Sequence, residues 1–107
     1  RRGAVKSVLE SSRIAREAKL IEELFREIAT DGRAAYGRKE VETARNYGAI
    51  ESLLVLDELA RRGSLDEIMR EVADARGRVV IFSSEFEPGD RLRSLGGVAA
   101  LLRFKIA

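Results

Sequence analysis

Three apolar runs, each about as long as one β-strand, constrain this chain most: Leu53-Leu54-Val55-Leu56, Val79–Phe82 and Val98–Leu102. A strand with one face in water alternates apolar and polar residues. A continuous apolar run needs cover on both faces. Strands of this kind belong to a sheet sandwiched between helices, and the segments between them carry helical spacing.

Residues 4–29 place Val5, Val8, Leu9, Ile14, Ala18, Ile21, Leu24, Phe25 and Ile28 at helical intervals. The signal is strongest from Ser12, so Ser11 or Ser12 is the expected N-cap and Asp31-Gly32 the stop. Arg33–Tyr36 reads as a short strand ending at Gly37. Val41, Ala44, Arg45 and Tyr47 resume the helical period up to Gly48, and Ala49–Leu56 reads as a strand. Asp57-Glu58 turn the chain outward. Ser64-x-x-Glu67 reads as a capping box before Ile68, Met69, Val72 and Ala73, with Arg76-Gly77 ending that helix. A polar loop holding the only proline, Pro88, leads from Val79–Phe82 into a short helix that stops at Gly96-Gly97. Alternating helices and strands with short connections predict an α/β domain. Its four-stranded sheet is mostly parallel or mixed, with helices on both faces.

Composition removes several chemistries. The 107 residues include no Cys and no His, hence no disulfide, no thiol nucleophile, no imidazole metal ligand and no side chain titrating near neutrality when unperturbed. No catalytic, cofactor-binding or metal-binding residue emerges. Lys and Arg number 20 against 18 acids, a net charge of only +2, so nucleic-acid binding would require local clustering. A continuous apolar segment of membrane-spanning length is absent, and the expectation is a soluble, cytoplasmic protein with no membrane partner. Asn46 is the only side-chain amide among dense opposite charges, which suggests a heat-adapted source.

Few motifs carry chemistry. Gly96-Gly97 follows a helix and precedes a strand, the reverse of a phosphate-binding loop, so it reads as a helix stop. Glu85, Glu87 and Asp90 read as charge at a helix N-terminus, with a partner-binding loop as the alternative. An enzymatic carboxylate site there lacks a nucleophile and a tuned base. Phe86 lies between two acids and either plugs the core or anchors a partner. Arg91, Arg93, Arg103 and Lys105 are one candidate basic patch. Arg33, Arg38 and Lys39 around Tyr36 are another, suited to RNA stacking.

Lys19–Tyr36, Gly37–Glu58 and Val80–Ile106 together resemble the C-terminal domain of the archaeal Pelota family, paralogues of the eukaryotic-type class I release factors. The most specific pieces are Ala35-Tyr36-Gly37, Tyr47-Gly48-Ala49-Ile50-Glu51, Ser83-Ser84-Glu85, and Leu95-Gly96-Gly97 followed by Leu102-Arg103-Phe104-Lys105. The release factors usually carry Phe where this chain has Leu95. They also carry an inserted minidomain, with cysteines in some archaeal versions, where this chain has only Asp57–Ser64.

The resemblance implies an α/β/α sandwich similar to ribosomal kink-turn-binding proteins, spanning residues 12–107, with residues 1–11 a linker remnant or helix start. It further implies a docking domain of a ribosome-rescue and no-go mRNA-surveillance factor, not itself an enzyme. Its partners would be an elongation-factor-like translational GTPase and the ATP-binding-cassette ATPase of ribosome recycling, with the ribosome reached through the full-length protein. Interface candidates are Tyr36, Arg38, Lys39, Phe86 and Glu87. The alternatives are a direct RNA-binding module or the C-terminal domain of a release factor. The kink-turn relatives open their RNA-contacting helix with Gly-x-Asn-Glu. Gly37-Arg38-Lys39-Glu40 has Lys39 in place of the Asn, which weakens kink-turn recognition while leaving a phosphate contact open.

Overall fold

The structure, a computed structural model, describes residues 2–106, with side chains described for residues 9–106. Five helices and four strands follow in the order α1 (Arg2–Ala29), β1 (Ala34–Tyr36), α2 (Arg38–Asn46), β2 (Ile50–Leu56), α3 (Asp57–Arg62), α4 (Asp66–Asp74), β3 (Arg78–Phe82), α5 (Glu87–Arg93) and β4 (Val98–Leu102). The strands form one sheet in the order β1-β4-β2-β3. Only β2 and β3 are parallel. The last strand, β4, inserts between β1 and β2 and runs antiparallel to both. The sheet is therefore mixed.

Each continuous apolar run divides its residues between two cores. On one face Leu54, Leu56, Val80, Phe82, Ala99 and Leu101 pack against Leu20, Ile21 and Leu24 of α1 and Leu92 of α5. On the other, Leu53, Val55, Val98, Ala100 and Leu102 pack against Val41 and Ala44 of α2 and Ile68 and Val72 of α4. A bulge between Ile50 and Ser52 shifts the register with β4, so Ile50 joins the same core as Leu53 while Glu51 faces solvent.

The four helices that precede strands all end alike. Just past each helix an N–H donates to the carbonyl five residues back, Gly32 to Glu27, Ala49 to Ala44, Gly77 to Val72 and Gly97 to Leu92. A second bond is made one residue earlier, from Asp31, Gly48, Arg76 and Gly96. These last four residues have φ of 53°, 65°, 67° and 100°. This left-handed closure satisfies the helix-terminal carbonyls and turns the chain sharply into the sheet. It explains why Asp31-Gly32, Gly48, Arg76-Gly77 and Gly96-Gly97 were all legible as stops.

Three local expectations fail. Helix α1 runs unbroken through Ser11 and Ser12, so neither is an N-cap; exposed serines within a helix cost only tenths of a kcal/mol. The reading of residues 1–11 as a junction falls mostly outside the residues whose side chains are described. The Ser64–Glu67 capping box does not form. Leu65 sinks into the core and serves as the N-cap of α4 without a side-chain cap bond. The segment read as a simple turn contains α3, which buries no residue fully and so leaves no apolar stripe to detect.

Gly89, in the first turn of α5, has no room for a side chain, because a Cβ there would collide with the Ser83 carbonyl. Gly89→Ala should cost about 2–3 kcal/mol in urea unfolding. A variant as stable as the parent would show that the Ser83 loop does not rest on this helix.

Candidate docking surface at the carboxyl ends of the strands

Strand directions decide where the interface candidates lie. Tyr36 pairs with Ala99, Val55 with Val98, and Leu56 with Phe82. The carboxyl ends of β1, β2 and β3 and the start of β4 therefore share one rim of the sheet. Four loops meet there: Tyr36–Arg38, Leu56-Asp57, Ser83–Glu87 and Leu95–Gly97. The carboxyl ends of strands in open α/β sheets are where loops commonly build binding sites.

Hydrogen bonds tie the loops into one platform. The Gly37 N–H donates to the Val98 carbonyl at 2.9 Å, and the Leu56 N–H donates to the Gly97 carbonyl at 2.8 Å. A Cβ on Gly97, whose φ is 84°, would lie 2.6 Å from Leu59 Cδ1. Only glycine lets the β4 entry pack this tightly on α3. The Ser84 N–H donates to Asp57 Oδ2 at 3.2 Å, joining the β3 loop to α3. Arg93 then bridges α5 and α3, 2.7 Å from Asp90 and 3.0 Å from Glu58. Its hydrogen bond to Glu58, reinforced by the Glu58 and Asp90 charges, raises its pKa further.

Burial pushes the Asp57 carboxyl up, but the Ser84 backbone and side-chain hydrogen bonds, the Arg61 charge and the Glu58 N–H outweigh it. The carboxyl sits below its ordinary 3.8. Its other oxygen, Oδ1, is buried without a partner among the described residues. Composition gave no hint of this aspartate, which read only as a turn residue.

The five candidates share the rim region but not one role. Tyr36 is 41 % exposed on edge strand β1. Its N–H donates to Glu40 Oε1 at 3.2 Å, so the ring projects from an anchored backbone. Arg38 is an internal tether, donating to Glu42 Oε2 at 3.1 Å and to the Ser64 carbonyl at 3.0 Å. Lys39 is exposed but turns onto the flank of β1, lining a groove of about 270 Å³ with Ala35, Thr43, Leu102 and Ile106. Phe86 is half-buried, lies outside both buried cores, and caps α5 through its carbonyl, which accepts the Asp90 N–H at 3.2 Å. Glu87 is exposed, 3.8 Å from Arg91. Three inter-strand spacings, about 14 Å, separate the β1 and β3 ends that carry Tyr36 and Phe86.

The proposed basic patches do not assemble. Arg91 and Arg93 lie by α5 at this rim, whereas Arg103 and Lys105 follow β4 at the opposite end. Arg33 also sits at that opposite end, away from Arg38.

Residues 14–106 match the family described as eRF1 domain 3. The chain belongs to the eRF1 domain 3 family. Within it, the chain is 63 % identical over 106 residues to a protein pelota homolog from Methanothrix thermoacetophila. That match covers 99 % of this chain and 30 % of the relative, so the chain spans about a third of the length of the curated relatives it matches. Archaeoglobus fulgidus Pelota superposes with a TM-score of 0.93 at 50 % identity, covering 99 % of this chain and 35 % of that one. A ribosome-bound archaeal Pelota, described together with ABCE1, matches at 0.83 and 50 % identity over the whole chain and 31 % of its own length. Saccharomyces cerevisiae Dom34, described as a translation termination-like factor interacting with Hbs1, matches at 0.82 and 29 % identity over 94 % of this chain and 30 % of its own. The family resemblance and the α/β/α sandwich expected from the sequence are thus both found. The eRF1 domain 3 platform here is of the Pelota type, with only α3 and a short turn between β2 and α4.

Because Asp57 is held below its ordinary value, its stabilising contribution is complete above 3.8 and is lost as pH falls through the lower folded value. Asp57→Asn should therefore be less stable than the parent near neutrality, and the gap should narrow between about pH 5 and about pH 2. A gap that stays constant across that range would show that the carboxylate charge is not what holds the Ser84 loop.

Proposed function

We propose that this chain is the protein-docking domain of a Pelota-type ribosome-rescue factor. It presents the carboxyl-end rim to an elongation-factor-like GTPase and, later, to an ATP-binding-cassette recycling ATPase. The observation that carries this reading is the rim itself. Four loops are locked to one another by two backbone bonds and the Ser84–Asp57 bond, yet they leave an exposed Tyr36 and a half-buried Phe86 on a rigid base. Aromatic anchors on pre-organised backbone are the usual source of affinity at protein interfaces. The proteins found with the relatives, Hbs1 for Dom34 and ABCE1 for archaeal Pelota, support the choice of partner class.

The mechanism is positional, and the domain itself makes and breaks no bonds. A GTPase that changes shape with its nucleotide binds this rim more tightly in one state than in another. That difference in affinity converts hydrolysis into release. Arg38, Asp57 and Arg93 contribute by keeping the loops in register, not by touching the partner.

Calorimetric titration with an archaeal elongation-factor-like GTPase tests the reading, with a kink-turn RNA titrated in parallel. Saturable binding to the GTPase is expected. Phe86→Ala and Tyr36→Ala should each weaken it by about 2 kcal/mol, roughly 30-fold, without unfolding the domain. Tight kink-turn binding lost on Lys39→Ala, together with no GTPase binding, would favour the RNA-module alternative.

A further inference from the structure

The amino-end rim of the sheet has a different chemistry. Here Asp31–Arg33, Tyr47–Ala49, Ala75–Arg78 and the exit of β4 come together. The Arg103 N–H donates to the Ala49 carbonyl at 2.7 Å, and its guanidinium donates to the carbonyls of Ile50 at 3.3 Å and Ala75 at 3.0 Å. Arg103 is thus fixed by backbone, and among the described residues no carboxylate lies within 4.0 Å of it, nor of the exposed Arg76 and Arg78. At the carboxyl-end rim, by contrast, Arg38, Arg61, Arg91 and Arg93 each meet a carboxylate. The nearby acids are only partly engaged: Asp31 pairs with Lys105, Glu71 with Arg45, and Glu27 accepts the Arg33 N–H, while Asp74 in the last turn of α4 and the solvent-facing Glu51 at the start of β2 make no ion pair among the described residues.

Two aromatic rings stand beside these cations. Tyr47 is 64 % and Phe104 47 % exposed; Tyr47, the C-cap of α2, precedes Ala49 by two residues and Phe104 follows Arg103, so the Ala49–Arg103 hydrogen bond ties together the two segments that carry the rings. Arg76 adds an independent sign. It occupies the left-handed position closing α4 with φ 67°, a place where glycine is favoured and an arginine is strained. Backbone strain at an exposed cation, beside cations without acid partners and two solvent-facing rings, points to a charged ligand with flat faces.

We propose that this amino-end rim binds an unpaired RNA segment. Arg76, Arg78 and Arg103 meet phosphates, and Tyr47 and Phe104 stack on bases. This surface is separate from the docking rim and does not depend on it, nor on Lys39.

The test is fluorescence anisotropy of the chain with a labelled single-stranded RNA of about ten nucleotides. A fully paired hairpin and a polyglutamate peptide serve as comparators. Tighter binding to the single strand than to either comparator is expected, with a log–log salt slope of about −2 for about three phosphates. Arg76→Gly should weaken binding about threefold and raise Tm by about 4 °C, because glycine relieves the left-handed strain. Phe104→Leu, which keeps the apolar bulk but removes the ring, should weaken binding at least fivefold. Equal affinity for polyglutamate would overturn the proposal in favour of an acidic protein partner. So would an unchanged salt slope in the Arg76→Gly and Arg78→Ser double variant, or RNA binding insensitive to Phe104→Leu. GTPase binding is expected to be indifferent to these variants, which separates failure here from failure of the docking reading.

Discussion

The whole sandwich depends on placing the last strand in the middle of the sheet. All five residues of β4 are buried. Its backbone bonds β1 on one side and β2 on the other, and its side chains feed both cores. Without β4, β1 has no partner and β2 and β3 are left as one parallel pair. Ala99 and Ala100 keep the strand thin at its centre, so helices on opposite faces can both approach it. The Gly96-Gly97 turn that launches β4 also sets the height of the carboxyl-end rim. Fold and docking platform thus share one determinant.

The sheet edges are partly occupied, which leaves the loops as the surface for the proposed docking. On β3, Arg13 of α1 donates to the Ile81 carbonyl at 3.1 Å while Glu17 accepts the Ser83 N–H at 3.2 Å. The two side chains, 2.7 Å apart, present the donor–acceptor spacing a neighbouring strand would use. Glu17 is fully buried, and this geometry satisfies it there. On β1, Glu40 takes the outward Tyr36 N–H and the Gly32 carbonyl takes that of Ala34. Partly occupied edges resist strand addition, a common route to aggregation and one route to peptide binding.

Much of this was legible in the chain. Continuous apolar runs gave the covered sheet, and the left-handed stops gave four helix ends. Strand order was not legible, because the pairing of β4 with β1 and β2 is a long-range choice that local periodicity does not encode. Helix α3 escaped because it buries nothing fully. The buried Glu17 did leave a trace, as an acid on the apolar stripe four residues before Ile21, and its partner Arg13 is one helical turn away, but the Ser83 N–H it accepts lies 66 residues on in sequence. The candidate site was legible as exposed aromatics in charged loops. The split between tether and anchor was not. Arg38 looks as available as Tyr36 until the Ser64 carbonyl is seen across from it.

The two proposed surfaces thus fall at opposite ends of the sheet. At the carboxyl end Arg38, Arg61, Arg91 and Arg93 each meet a carboxylate and the loops are locked, as would suit the proposed protein interface, whose cost of ordering is then already met. At the amino end Arg76, Arg78 and Arg103 have no carboxylate partner among the described residues, while Arg45 and Lys105 are paired. Hydrogen exchange of the chain with and without an archaeal elongation-factor-like GTPase tests this proposed division most directly. The account predicts new protection confined to Tyr36–Arg38, α3, Ser83–Glu87 and Leu95–Gly97, with the amino-end loops unchanged. Protection centred on Ala75–Arg78 and Arg103–Lys105, with the carboxyl-end loops unaffected, would contradict it.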